Sequence, residues 1–205
     1  MPDRIATDLL RMARNPVSGR LRHQASLEVA VRAALLAEMA LNGQVIDQVN
    51  APTLVGDDEP TGDRIVDAIR RAVEQRPNVM WLRWFRHVRV DRKALCAELV
   101  ESGRWEPQPG WRTAFTDAKP DEALALGFET KRVANYERAP ADAREAVLAV
   151  LAVACGATGA RPRPAAARRD LKPIVDSIGD HTTQKIVVTA SNVIRRARRA
   201  TGGVG

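Results

Sequence analysis

Aromatic residues are scarce in this 205-residue chain, at 4%, and it carries only two cysteines, three histidines and one tyrosine. Two cysteines cannot make a disulfide framework. Cys96 and Cys155 each lie in an apolar, helix-like stretch with no metal-ligand neighbour, so both read as buried free thiols of a reducing cytoplasm. His23, His87 and His181 are scattered, with no HExxH and no carboxylate at ligand spacing, so no metal site is expected. A GxSxG, a Walker loop, a GxGxxG and paired catalytic carboxylates are missing too, which points away from an enzyme and from any cofactor. Long apolar runs are also missing. Nothing reaches the ~20 residues that span a bilayer, and the longest candidate, Ala146 to Ala157, is too short. The segment from Met1 to Asn15 has no secretory h-region. Any membrane role is therefore expected to be peripheral, exercised from the cytoplasm.

What the chain has is alanine, arginine and positive charge. The alanine and arginine bias looks like that of a high-GC bacterial genome. Its net charge of +7 and pI near 10.2 suggest an anionic partner, either nucleic acid or a lipid surface. A 45% apolar and 28% charged composition fits one well-buried soluble domain.

Periodicity and punctuation set out the elements. Asp8 to Ala13 reads as a short helix and Asn15 to Gly19 as a turn. Ser26 is placed to cap a helix running to Leu41, and Gln44 to Leu54 reads as a strand or hairpin. Asp63 caps Arg64 to Glu74, with Ile65, Val66, Ile69 and Val73 inward. Trp84 to Ser102 reads as one long helix stopped by Gly103, followed by a loop or short hairpin from Arg104 to Thr116. Pro120 opens a helix to about Asn135, and Asp142 to Cys155 is almost wholly apolar. Gly156 to Pro164 is a linker, Pro173 splits the next helical pattern, and Thr182 or Thr183 caps a helix bearing Ile186, Val187, Ala190, Val193 and Ile194. The expectation is an all-α, mainly helical fold with at most one or two short β-hairpins. It is a single globular domain over residues 1–205 around two apolar central helices, with 200–205 as a flexible tail.

Candidate functional residues are few. Arg32 is the only cation in the apolar run from Ser26 to Leu41. It is either the deep end of an anion site or a structural ion pair with Glu28 or Glu38. Arg89 and Arg92, three apart, share a face on the expected helix, with Arg86 and Lys93 close by; guanidinium forks in a cluster suit a phosphomonoester, although such a stripe also serves as a solvated face. Pro60-Thr61-Gly62-Asp63 reads as a helix cap rather than an anion site. Trp81, Trp84, Trp105 and Trp111 are core residues or interfacial anchors. From Arg161 to Arg199 there are ten Lys/Arg against three Asp, a surface for nucleic-acid backbone or for an anionic bilayer.

Several segments, in order along the chain, resemble the Golgi phosphoprotein 3 family. Arg32 to Gly43 (RAALLAEMALNG) is similar to its central helix, and Pro60-Thr61-Gly62-Asp63 with Asp67-Ala68 to its P-T-G-D and following helix. Arg89-Val90-Asp91-Arg92, leading into Leu99 to Gly103, is similar to its R-x-x-R and L-V-E-K-G, and Asp142 to Ala154 to its late apolar helix. The resemblance implies a mainly helical peripheral protein that binds phosphatidylinositol 4-phosphate through a tryptophan and three arginines. By position those arginines are Arg32, Arg89 and Arg92, and the tryptophan's place is held by His23. Here the family's apolar hairpin is polar apart from Trp105, Trp111 and Phe115.

The functional expectation is a peripheral, non-enzymatic protein that recognises phosphoinositide-like or other anionic phospholipid headgroups through Arg32, Arg89, Arg92 and His23. An adaptor role toward protein tails is a further expectation. The alternative is a nucleic-acid-binding module using the basic C-terminal helix and its Arg195 to Arg199 run.

Overall fold

A helix that is apolar on all sides has to be covered on all sides, and two such helices organise this fold. The computed structural model describes residues 4–22, 24–56, 60–88, 92–109, 114–158 and 171–201. In order they form α1 (Ile5–Ala13), α2 (Gln24–Leu41), β1 (Val45–Gln48), β2 (Ala51–Leu54), α3 (Arg64–Glu74), α4 (Trp81–His87), α5 (Arg92–Glu101), β3 (Trp105–Pro107), β4 (Phe115–Asp117), α6 (Pro120–Ala134), α7 (Ala143–Cys155), α8 (Lys172–Asp176) and α9 (His181–Thr201). The domain is mainly helical, and its sheets, among the described residues, are the antiparallel hairpins β1–β2 and β3–β4.

The two expected central helices are α2 and α7. Leu27, Val31, Leu35, Leu36 and Met39 of α2 are buried, and so are Val147, Leu148, Val150 and Leu151 of α7. Between them come small residues, Ala30, Ala33, Ala34 and Ala37 on α2 and Ala149 and Ala152 on α7, so neighbouring backbones approach closely. α2 packs on α1, α4, α7 and α9, and α7 packs on α1, α6, α8 and α9. Each large aliphatic side chain buried here contributes about 1.5–3 kcal/mol. Trp81, Trp84 and Trp105 are fully buried, which settles them as core residues; Trp111 lies outside the described residues. Cys96 and Cys155 are buried free thiols, and burial pushes the Cys155 thiol up to about 11.

Helix ends follow local chemistry. Asp63 accepts from the amides of Ile65 and Val66, so α3 is capped where expected; Asp142, expected as the first residue of α7, is its cap and accepts from the Glu145 amide. α7 ends at Gly156 in the left-handed region, φ 80°. Three expectations need correction. α2 starts two residues before Ser26, which is buried inside its first turn and so is a helical residue, not a cap. Pro173 opens α8 instead of splitting a helix, because in the first turn its missing N–H is not needed. α9 is capped by Asp180, which accepts from the Thr183 amide (2.6 Å), while the Thr182 hydroxyl accepts from the Asp47 amide of β1 (3.1 Å). Of the linker expected over 156–164, residues 159–164 lie outside the described residues; of the tail expected over 200–205, residues 200 and 201 belong to α9 instead, and 202–205 lie outside the described residues.

The second hairpin is fastened to α1 by one acid. Asp117 on β4 has a fully buried side chain and accepts from Arg11 Nε (3.2 Å), Trp105 Nε1 (3.3 Å) and the Lys119 amide (2.9 Å). Beside it, the Gly19 carbonyl (φ 65°) accepts from the Phe115 amide (3.1 Å), and a Cβ at Gly19 would fall 2.6 Å from the Phe115 carbonyl oxygen. Only glycine fits that approach. Across α6 and α7, Arg138 binds Glu129 (2.9 Å) and Glu145, and Arg132 also binds Glu129 (3.1 Å). These hydrogen bonds hold both carboxyls below the usual carboxylate range.

Two outcomes follow from these contacts. Asp117→Ala leaves the buried Arg11 guanidinium with only the Lys119 carbonyl and the more distant, exposed Glu122, and is expected to cost about 3 kcal/mol, read as a lower urea midpoint at unchanged slope. Because the folded pKa values of Glu129 and Glu145 are depressed, their contribution to stability is complete above the unfolded carboxylate range and is lost as pH falls through the folded values. Arg138→Met should therefore flatten the acid side of a thermal-midpoint-against-pH curve.

Candidate functional site

A guanidinium inside an apolar helix needs acceptors. Arg32, in the middle of α2, is 6% exposed. Its Nε donates to the carbonyl of Glu28 one turn earlier (3.0 Å), and its Nη1 donates to the carbonyl of Val88. Val88 follows α4 with extended backbone (φ −81°, ψ 128°). In a continuous helix that carbonyl would accept from the amide four residues on; here it is turned to Arg32. The single helix expected from Trp84 to Ser102 is thus two, α4 and α5, and the break sits where Arg32 grips the chain.

Arg92 opens α5. Its Nη1 lies 3.7 Å from Oε1 of Glu28, an ion pair too long to be a hydrogen bond. That Nη1 is buried and has no hydrogen-bond partner. Two arginines far apart in sequence therefore meet on one residue, Arg32 on the main chain of Glu28 and Arg92 on its carboxylate. The i,i+4 relation of Glu28 to Arg32 is realised through a carbonyl. The other candidate partner, Glu38, binds Arg144 of α7. Arg86, His87 and Lys93 are exposed around the break, and the first turn of α5 carries no acid. Arg89 and His23 lie outside the described residues.

The other sequence candidates resolve into structure. In the Pro60-Thr61-Gly62-Asp63 turn, Asp63 caps α3 and pairs with Arg4, while the Thr61 amide and hydroxyl donate to Asp67 (2.8 and 2.7 Å). These bonds hold the Asp67 carboxyl below its ordinary range. In the basic end of α9, Arg195 donates to the Asn192 side chain, and Arg198 donates to the Ala154 carbonyl (3.2 Å) near the C-terminus of α7, where a cation complements the helix dipole. Arg196 is exposed, and the side chain of Arg199 lies outside the described residues. No metal-binding cluster occurs among the described residues, and none of their helices is long and apolar enough to cross a membrane.

Sequence reasoning did not assign Glu28 to Arg92, nor the Val88 carbonyl to Arg32. A main-chain acceptor has no residue code, so only the unexplained buried cation could have signalled it. Arg32→Met keeps the length of the side chain and removes two charge-assisted bonds, each contributing about 1.5–3 kcal/mol. It is expected to cost at least about 1.5 kcal/mol in urea unfolding. Glu28→Gln retains the carbonyl and loses only a half-exposed pair, so it should cost less than about 1 kcal/mol.

Comparison with known proteins supports the resemblance seen in the sequence. No curated protein matches the chain. The family model described as Golgi phosphoprotein 3 (GPP34) matches residues 5–197, a span that begins with α1, contains α2 with Arg32 and the Arg89–Arg92 segment, and runs into α9. With nearly its whole length covered in this way, the chain belongs to the Golgi phosphoprotein 3 family.

Proposed function

We propose that this protein is a peripheral, non-enzymatic binding protein that recognises phosphoinositide-like or other anionic phospholipid headgroups at a membrane surface. Arg32, Arg89 and Arg92 hold the phosphate, and His23 edges the site in the place of the family's tryptophan. Arg32 works from the deep end: by holding Val88 it also fixes the start of the segment that bears Arg89. The protein acts from the cytoplasmic side without a cofactor, and protein tails are a further class of partner.

The observation that carries this reading is the meeting of Arg32 and Arg92 on Glu28, with a buried Arg92 N–H left without an acceptor. A donor in that state is costly to leave unpaired, and a phosphate oxygen is a suitable partner. Family membership supports the same reading. The nucleic-acid alternative has less support, since Arg195 and Arg198 are already engaged within the fold.

Vesicle co-sedimentation tests the assignment. Phosphatidylcholine vesicles doped with phosphatidylinositol 4-phosphate, or with phosphatidylglycerol, should retain the wild-type protein at low salt and release it as salt rises. Arg89→Ala with Arg92→Ala should weaken retention by about tenfold or more, from the loss of at least one charge-assisted bond. Equal retention of this double variant and the wild type would overturn the site.

A further inference from the structure

A cleft lies between α1, α6 and the end of α7, with a volume of about 310 Å³. Its basic lining is Arg11, Arg14, Arg22 and Lys131, and its apolar lining includes Met12, Leu124 and Phe128. Arg11 is satisfied by Asp117 and lies 3.8 Å from Glu122. Among the described residues, the other three cations lie within 4 Å of no carboxylate oxygen, although Asp117 acts on Arg14 from farther off. Arg14 is 9% exposed; its Nη1 donates to the Phe115 carbonyl (3.3 Å), but its Nε has no partner. Burial, with Arg11 alongside, holds the Arg14 guanidinium below its ordinary value, partly offset by Asp117. A second orphan donor, the buried Thr158 hydroxyl, lines the same cleft. At the rim, Leu124 and Phe128 stand one turn apart on α6, each 62% exposed. Unpartnered donors and unneutralised cations beneath, with exposed apolar side chains above, are the two halves of a site for a molecule that is itself part anion and part hydrocarbon.

We propose that this cleft is a second anion site, separate from Arg32 and Arg92, that takes a single-chain anionic amphiphile. The anionic head sits on Arg14, Arg22, Lys131 and Thr158, and the chain lies over Met12, Leu124 and Phe128. The volume falls at the small end of the range for ligand pockets, about 300–1,000 Å³, which favours one chain over two. The ligand comes either from a bilayer, as one chain and head of a phospholipid, or from solution as a free amphiphile.

Decyl phosphate is the probe, titrated calorimetrically into the full-length protein below its micellar concentration. The wild type should bind it, while decyl maltoside, a neutral-headed analogue, should not. Arg22→Gln with Lys131→Gln should weaken binding by about tenfold or more, and Lys131→Gln alone, at an exposed position, provides a variant that keeps its fold. Phe128→Ser should weaken decyl phosphate but leave inorganic phosphate unchanged. The Arg89→Ala/Arg92→Ala protein should keep wild-type affinity for decyl phosphate, so failure of the headgroup site and failure of this cleft are read separately. Absence of binding, equal binding of decyl maltoside, or wild-type affinity in the Arg22/Lys131 variant each overturns the proposal. Retention on phosphatidylglycerol vesicles assigns the source: a loss on Phe128→Ser names the bilayer, and unchanged retention alongside weakened decyl phosphate binding names the free amphiphile, with the cleft upheld in both cases.

Discussion

A positive charge in the middle of an apolar helix is the constraint from which much of this architecture follows. α2 has to be buried because of its leucines, valines and alanines, yet it carries Arg32 into the core with it. The cation is made tolerable by main-chain oxygens, one from its own helix and one from Val88. Supplying the second oxygen interrupts what would otherwise be one helix and leaves α4 and α5 as separate pieces. The interruption then places Arg92 at a helix start facing Glu28. Burial, helix boundary and basic cluster thus share a single origin.

Carboxylates repeat the same logic elsewhere. Asp47 on β1 accepts from Trp81 Nε1 (2.6 Å) and Lys185 Nζ (2.7 Å), joining the first hairpin to α4 and α9. Asp117 joins the second hairpin to α1, and Glu38 joins α2 to α7. Short hairpins with little apolar surface of their own are not stable alone. Here each is held by an acid that gathers donors from distant parts of the chain. On the α1–α6 side Asp117 is engaged by Arg11 and also acts at a distance on Arg14.

The helices were legible because their signals are local. Apolar spacing found α2, α3, α7 and α9, and Asp63, Asp142, Gly103 and Gly156 marked their neighbours' ends with chemistry that acts over one turn. What could not be read depended on tertiary partners. Nothing in the stretch from Trp84 to Ser102 announces that the Val88 carbonyl is needed by a side chain on α2. Thr182 is a good cap by type, but its hydroxyl is taken by β1, leaving the role to Asp180. At the site, the isolation of Arg32 and the family resemblance singled out the arginines, whereas the part of Glu28 was hidden because it meets Arg32 through its carbonyl and gives its carboxylate to Arg92. His23 rests on the resemblance alone, whereas Arg89 was also marked by its spacing from Arg92 on a helix that proves to be broken there.

The cover of α2 has a consequence for how the protein is made. α2 packs extensively on α9, yet α9 begins about 140 residues after α2 ends. At translation speeds of about 5–20 residues per second, that interval is on the order of ten seconds. For that time a mostly apolar segment, with its one central cation, sits outside the ribosome with one of its principal neighbours not yet synthesised. Such a segment is a natural client for chaperones that bind nascent chains, and the vulnerable period in the life of this protein is its birth.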